Sequence, residues 1–321
     1  LESLGSETRR SRGGMAALRI AFNSSRWAPE GEDDGAEFQY LLSCVQEDEA
    51  EQVRRFRFFE DKQRALVSRL LQRKCAETCL GLRWDEILIK RTKGKKPFVA
   101  SGVSERPEGA PNFNYNVSHE GDYVVLASEP VCLVGVDVAA PGQSRKGGGP
   151  FDLDRVLKSF GSAFTRDELR NIECFGDPAA QDGAFRRNWS CKEAFTKARG
   201  DGVGFELKRC EFTIEEAGEG LLPYTHTAEV SVDGDLLPGW SFLLQPLGDH
   251  WVTVARGPCS DVVDAHGEFT KTLSRRNLDP CGWRREAGAP RSGFEVVGVR
   301  DLLPADKLEG YDEIVEEDPF G

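Results

Sequence analysis

Apolar residues recur in two rhythms along the chain, and the changes of rhythm mark its elements. Alternation predicts strands over 17–22, 87–90, 113–118, 123–127 and 132–138, then a second set over 211–214, 228–232, 240–244 and 251–255. The helical spacing of Val53, Phe56, Leu66, Leu70 and Leu71 predicts one helix over 47–82, ended by Gly81. Further helices are predicted over 153–160, 165–175 and 183–199, the second opened by a capping box, Thr165-x-x-Glu168. Asp233-Gly234 signals a tight turn within the second strand set, and Gly121 signals a reversal after His119.

These signals fade at both ends. Residues 1–14 are polar and rich in Gly, Arg and Ser, and Met15, a candidate start, opens the first alternation. The expected organisation is a disordered leader over 1–14, an N-terminal subdomain over 15–125, a C-terminal subdomain over 126–257, and a disordered acidic tail over 258–321.

Composition narrows the function classes. With 39% apolar residues among 321, the chain can build two ordinary cores. Nine scattered cysteines with no CxxC pair fit reduced thiols in the cytosol better than a disulfide framework or a zinc ribbon. No apolar run reaches the roughly 20 residues of a spanning helix, and a net charge of −12 argues against general nucleic-acid binding. Against that acidic background the stretch Lys90-Arg91-Thr92-Lys93-Gly94-Lys95-Lys96 is a local basic patch suited to a polyanionic ligand, although a basic loop also serves as plain solvated surface.

Three constellations offer chemistry. Asp137 closes an apolar strand, where a carboxylate either caps a turn or holds a cation. Trp189, Glu193 and Lys197 are spaced by four on one helix face, which presents an acid and a cation together; alone, this is more often an ordinary helix pair. Asn116-Val117-Ser118-His119-Glu120 bunches polar groups at a strand end. Neighbours in a strand point to opposite faces, so Ser118 and His119 make a poor nucleophile and base, and a polar ligand cradle or a turn suits them better.

Taken together, Asn112-Phe-Asn-Tyr-Asn-Val-Ser-His-Glu-Gly-Asp-Tyr123, Val134-Gly-Val-Asp-Val138 and Trp189-x-x-Lys192-Glu193-Ala-Phe-x-Lys197 resemble the 4′-phosphopantetheinyl transferases of the surfactin-synthetase-activating type. Arg91-Thr92, Arg187-Asn188-Trp189 and Gly202-x-Gly-Phe-Glu-Leu207 bring the likeness nearest to the animal branch that serves aminoadipate-semialdehyde dehydrogenase; it covers about residues 15–256. The resemblance implies an α+β fold in which a pseudo-twofold pair of similar subdomains holds coenzyme A between them. It implies that Arg91, Thr92, Lys93, Gly94, Lys95 and Lys96 grip the 3′-phosphate and adenine end, while Asn116, Val117, Ser118 and His119 line the phosphate site.

Asp137 and Glu193 match the family's magnesium carboxylates, and Glu193 and Lys197 its groups at the pyrophosphate. Two positions depart from the pattern. Ala139 stands where many members carry a further acid, and Glu120 is taken to supply the missing oxygen, directly or through water. Gln52 stands where an arginine touching coenzyme A is expected, with Arg54 or Arg55 as candidate substitutes. The implied reaction moves phosphopantetheine from coenzyme A to a serine of an acyl carrier protein and releases 3′,5′-ADP, with catalysis assigned to Glu193, Lys197 and Asp137. Implied partners are cytosolic fatty acid synthase and an aminoadipate-reducing carrier enzyme, with Arg145-Lys146 as a docking candidate on a monomer. Two rivals stay open: a metal-dependent hydrolase of nucleotide pyrophosphates, and an inactive scaffold for coenzyme A or a carrier.

Overall fold

The computed structural model describes residues 17–142 and 151–316. The first half comprises β1 (Arg19–Asn23), α1 (Ala36–Ser43), α2 (Glu47–Arg54), α3 (Phe59–Leu80), the hairpin β2 (Ile89–Arg91) with β3 (Pro97–Val99), and the hairpin β4 (Asn114–Glu120) with β5 (Tyr123–Glu129). The second half comprises β6 (Leu133–Ala139), α4 (Leu153–Phe160), α5 (Arg166–Glu173), α6 (Pro178–Arg199), β7 (Cys210–Glu216), β8 (His226–Val232), β9 (Asp235–Leu236), β10 (Ser241–Leu247) and β11 (His250–Gly257). Then follow α7 (Pro280–Gly288), β12 (Glu295–Val297) and α8 (Ala305–Glu316).

Each half repeats one plan. A first strand, a 22-residue helix closed by a left-handed glycine (Gly81 or Gly200), and an antiparallel hairpin follow in order, and the second hairpin strand pairs antiparallel with the first strand. The fold is thus mixed α+β with two domains of matching construction. The sheets run β12-β1-β5-β4 and β6-β11-β10-β8-β7, so β4 and β6 are edge strands that face each other. Ala21, Val125 and Ala127 of one sheet and Val134, Val136, Val138, Val252 and Val254 of the other form a shared apolar cluster.

Between the edges, side chains replace the missing ladder. Asn114 Oδ1 accepts from Val134 N–H at 2.9 Å, Asn116 Oδ1 from Val136 N–H at 3.0 Å, and Glu120 Oε2 from Ala140 N–H at 2.8 Å. The polar residues of Asn114-x-Asn-x-Ser-x-Glu120 therefore project to one side because a strand has period two, and they close a seam that exposed amides would otherwise leave open.

Local signals placed most elements correctly. Thr165 and Glu168 form the reciprocal capping box, and Asp233-Gly234 turns with both residues at positive φ. Three expectations are corrected. The helix expected over 47–82 is two helices, α2 and α3, separated at 55–58, and Phe56 is exposed rather than core. A single helix of that span would be about 54 Å long; folding back lets Glu49 of α2 pair with Arg73 of α3 and buries Val53 beside Leu66 and Leu70. The boundary expected at 125/126 falls inside β5, and the sheets change only at Leu133.

The tail expected to be disordered from 258 is folded through 316. Its Phe269, Leu273 and Trp283 enter a core with Cys132 and Leu133, β12 pairs parallel with β1, and Leu302, Leu303 and Tyr311 complete the first domain's core. A buried cluster fastens it: Glu129 takes Arg19, Arg256 Nε at 3.0 Å and Arg291 Nη2 at 3.1 Å, while Arg256 also donates to the carbonyls of Glu286, Ala287 and Ala289. The acidic composition concealed this because its apolar residues are widely spaced and find partners only in other elements. The expected leader, the 143–150 loop with Arg145-Lys146, and the last five residues lie outside the described residues.

Candidate active site

A cleft of about 710 Å³ lies between the domains. Its walls are the 91–97 loop, Asn116 and Val117 of β4, the last two turns of α6, the 200–205 segment and, from the tail, Val263 and Ala265. Two glycines allow the close approach this requires. A Cβ on Gly135 would lie 2.0 Å from Ala194 O, so β6 can sit directly against α6; a Cβ on Gly94 would lie 2.0 Å from Gly200 O, so the basic loop can sit on the end of α6.

The first approach brings Asp137 to Lys197. Asp137 Oδ1 accepts from Lys197 Nζ at 2.5 Å and from Ser118 Oγ at 2.9 Å, and Lys197 Nζ also reaches Ser118 Oγ at 2.9 Å. Three elements, β4, β6 and α6, therefore meet in one hydrogen-bonded triangle. Ser118 is buried and His119 exposed, as strand alternation requires, so Ser118 orients Asp137 rather than serving His119 as a nucleophile.

Asp137 acts electrostatically on two further carboxylates, Glu193 and Glu120. Burial raises Asp137 despite the opposing pull of Lys197. Burial, with the Asp137 charge adding to it, raises Glu193. Glu120 is pushed up to about 7 by burial and by Asp137, against the stabilising Ala140 N–H. Hard oxygen donors short of compensating positive charge are the donor set that suits a small divalent cation, and magnesium needs only one or two protein carboxylates beside waters and phosphate oxygens. Asp137 and Glu193 fit that requirement. Among the described residues no three Asp, Glu, His or Cys side chains already converge as a metal cluster.

Arg91, Lys93, Gly94 and Lys95 line the cleft as the sequence indicated. Lys96 is corrected. Its ammonium is turned inward to Val134 O at 2.7 Å and Lys197 O at 3.3 Å, which ties the loop to β6 and α6 instead of offering charge to a ligand. Thr92 is buried and its Oγ1 accepts from Lys96 N–H at 3.1 Å, closing the loop. The side-chain oxygen of Asn116 is committed to Val136. Trp189 shares a helix face with Glu193 and Lys197 by spacing, yet its ring packs against Phe160, Phe164 and Phe185.

His119 lies among cations. Although the residue as a whole is exposed, loss of water around the imidazole, followed by the charges of Lys197, Arg64 and Arg69, pushes it down to about 4. Sequence reasoning missed Arg69, and it missed the tail's share of the cleft wall. The Asn-x-Asn alternation was a readable signal for the interdomain seam; Val263 and Ala265 left none.

Comparison with known proteins agrees with this geometry. The model of "4′-phosphopantetheinyl transferase, N-terminal" matches residues 25–131, and that of the "4′-phosphopantetheinyl transferase superfamily" matches residues 133–255. The chain is 34% identical over 242 residues to the L-aminoadipate-semialdehyde dehydrogenase-phosphopantetheinyl transferase of Homo sapiens, covering 75% of each protein. It is 36% identical over 292 residues to a phosphopantetheinyl transferase of Thraustochytrium sp., covering 89% of this chain and 88% of that one. It is 31% identical over 169 residues to 4′-phosphopantetheinyl transferase psf-1 of Bacillus pumilus, covering 52% and 63%.

Proposed function

Because this chain belongs to the 4′-phosphopantetheinyl transferase superfamily, transferring phosphopantetheine from coenzyme A to carrier protein domains, we propose that it is a holo-[acyl-carrier-protein] synthase working with magnesium in the cytosol. The observation that carries this reading is the meeting of Asp137, Ser118 and Lys197, with Lys197 and Glu193 lining a cleft that Arg91, Lys93 and Lys95 also line.

Phosphoryl transfer depends mainly on positioning and on neutralising charge, so no covalent enzyme intermediate is needed. The carrier serine oxygen attacks the β-phosphorus of the pyrophosphate, the bond to the bridging oxygen breaks, and 3′,5′-ADP leaves. Glu193 accepts the serine proton on a carboxylate oxygen, directly or through water. Lys197 donates from Nζ to pyrophosphate oxygens, and Ser118 holds Asp137 in register. When bound at Asp137 and Glu193, magnesium would supply positive charge at the pyrophosphate and leaving group. Glu120 is assigned the third oxygen that Ala139 lacks, because its Oε2 is fixed to Ala140 N–H beside that position.

Free cysteines support the cytosolic placement, seven of nine being buried. The assigned partners are carrier domains of fatty acid synthase and of aminoadipate-type enzymes, served by a monomer. Neither the hydrolase nor the scaffold reading has a counterpart among the relatives named above. The test is intact-mass measurement of an apo acyl carrier protein incubated with the enzyme, coenzyme A and magnesium. A phosphopantetheine-sized gain that vanishes without metal and in Glu193→Ala is expected; unmodified carrier with hydrolysed or merely bound coenzyme A would overturn the proposal.

A further inference from the structure

Arg69 of α3 carries a charge that its surroundings compensate only weakly. Its Nη2 donates to the neutral Gln52 Oε1 at 3.2 Å. Its Nε is buried and has no hydrogen-bond acceptor among the described residues. The nearest acid, Glu49, stands off at 3.9 Å because its other oxygen is taken by Arg73 Nε at 3.2 Å. The side chain is only 13% exposed, so water compensates little of this. Arg91 of the cleft wall is close enough to depress Arg69 further after burial has done so, and Arg69 in turn acts on His119. Arg64, by contrast, is matched by Asp61 at 2.8 Å and the Gly121 carbonyl at 3.2 Å. The substitutes considered for the arginine absent at position 52 are occupied as well: Arg54 pairs with Glu47 and Arg55 with Glu51.

Cations held together with little opposing charge form a site for an anion, and the strongest complement is a group carrying two negative charges. Coenzyme A has two anionic centres. Its pyrophosphate belongs beside Lys197 and Glu193, which leaves the 3′-phosphomonoester for the flank bearing Arg91 and His119. We propose that Arg69, aimed by Gln52, binds the 3′-phosphate of coenzyme A and supplies the charge that position 52 does not. This rests on the transferase reading for the identity of the ligand. Gln52 is then a positioning residue: its carbonyl oxygen holds one edge of the guanidinium while contributing no charge that would compete with phosphate.

The test is calorimetric titration of the full chain with adenosine 3′,5′-bisphosphate and, separately, with adenosine 5′-monophosphate, which lacks the 3′ group. The wild-type protein should prefer the bisphosphate. Arg69→Gln should weaken the bisphosphate about tenfold or more, the scale of one lost charge-assisted contact, and leave the monophosphate unchanged. Gln52→Glu, at an exposed position that does not threaten folding, should shift affinity in the same selective direction by pairing Arg69 internally. Equal weakening of both nucleotides, or no change in either variant, would overturn the proposal. In the transfer assay, Arg69→Gln should raise KM for coenzyme A but not for 3′-dephospho-coenzyme A. Carrier modification without that split defeats only the Arg69 assignment. Selective nucleotide binding without carrier modification defeats the synthase reading and leaves a phosphate site at Arg69.

Discussion

The ammonium of Lys96 lies 2.7 Å from the carbonyl oxygen of Val134, fully enclosed, so the basic loop is anchored to β6 by a cation held among neutral acceptors. Burial pushes Lys96 down from 10.5 to about 7. Between these values the unfolded chain keeps a proton that the native chain has released, so native stability from this group rises as pH climbs through that window, and below it the full cost of the buried charge is present. Urea denaturation of wild type and Lys96→Met should therefore show wild type gaining on the variant from pH 7 to pH 10, by up to about 1.4 kcal/mol per unit. Parallel pH profiles would show that the amine is not buried as charge.

Glu129 is the hub of three arginines, which together hold its carboxylate below the usual value despite burial. Glu129→Gln strands Arg19 and Arg256 inside the protein and should cost about 3–5 kcal/mol. A denaturant midpoint close to wild type would contradict the enclosed cluster. With its pKa lowered, Glu129 contributes stability above the unfolded carboxylate range, and that contribution disappears as pH falls through its native value.

Glu120→Ala should raise the magnesium concentration needed for half-maximal transfer about tenfold or more, the usual scale for losing an outer or auxiliary ligand. Metal titration of the transfer rate checks this. An unchanged magnesium requirement would remove Glu120 from the site.

Asn116→Leu removes the acceptor for Val136 N–H at the interdomain seam. Leaving that amide unpaired should cost about 1–3 kcal/mol. The transfer rate should also fall, since the seam sets where β6 carries Asp137 relative to β4. Activity and stability both at wild-type level would show that the seam does not need this contact.

What the sequence disclosed follows the range of each interaction. Thr165 and Glu168 are three residues apart, and Asp233 and Gly234 are adjacent, so their geometry is written locally. Asp137, Glu193 and Lys197 were legible as a candidate site only in combination, because each has an ordinary structural use. The break between α2 and α3 was hidden because both helices carry the same apolar period, and only the return contact of Glu49 with Arg73 requires the reversal. The orientation of Lys96 was equally hidden: its destination is a strand carbonyl 38 residues away.

The order of the strands bears on how the protein is made. The first sheet has two flanks, and both are closed by segments that leave the ribosome after its hairpin: β6 seals the β4 side through the asparagine seam, and β12, near the end of the chain, covers β1. During synthesis the nascent first domain therefore presents open strand edges that can pair with another copy: the β4 edge until β6 has emerged, and the β1 edge until the second domain and then β12 have emerged. A ribosome that stalls within the second domain would release a product whose β1 edge is still open, which makes translation speed through that region a quantity on which the yield of native enzyme depends.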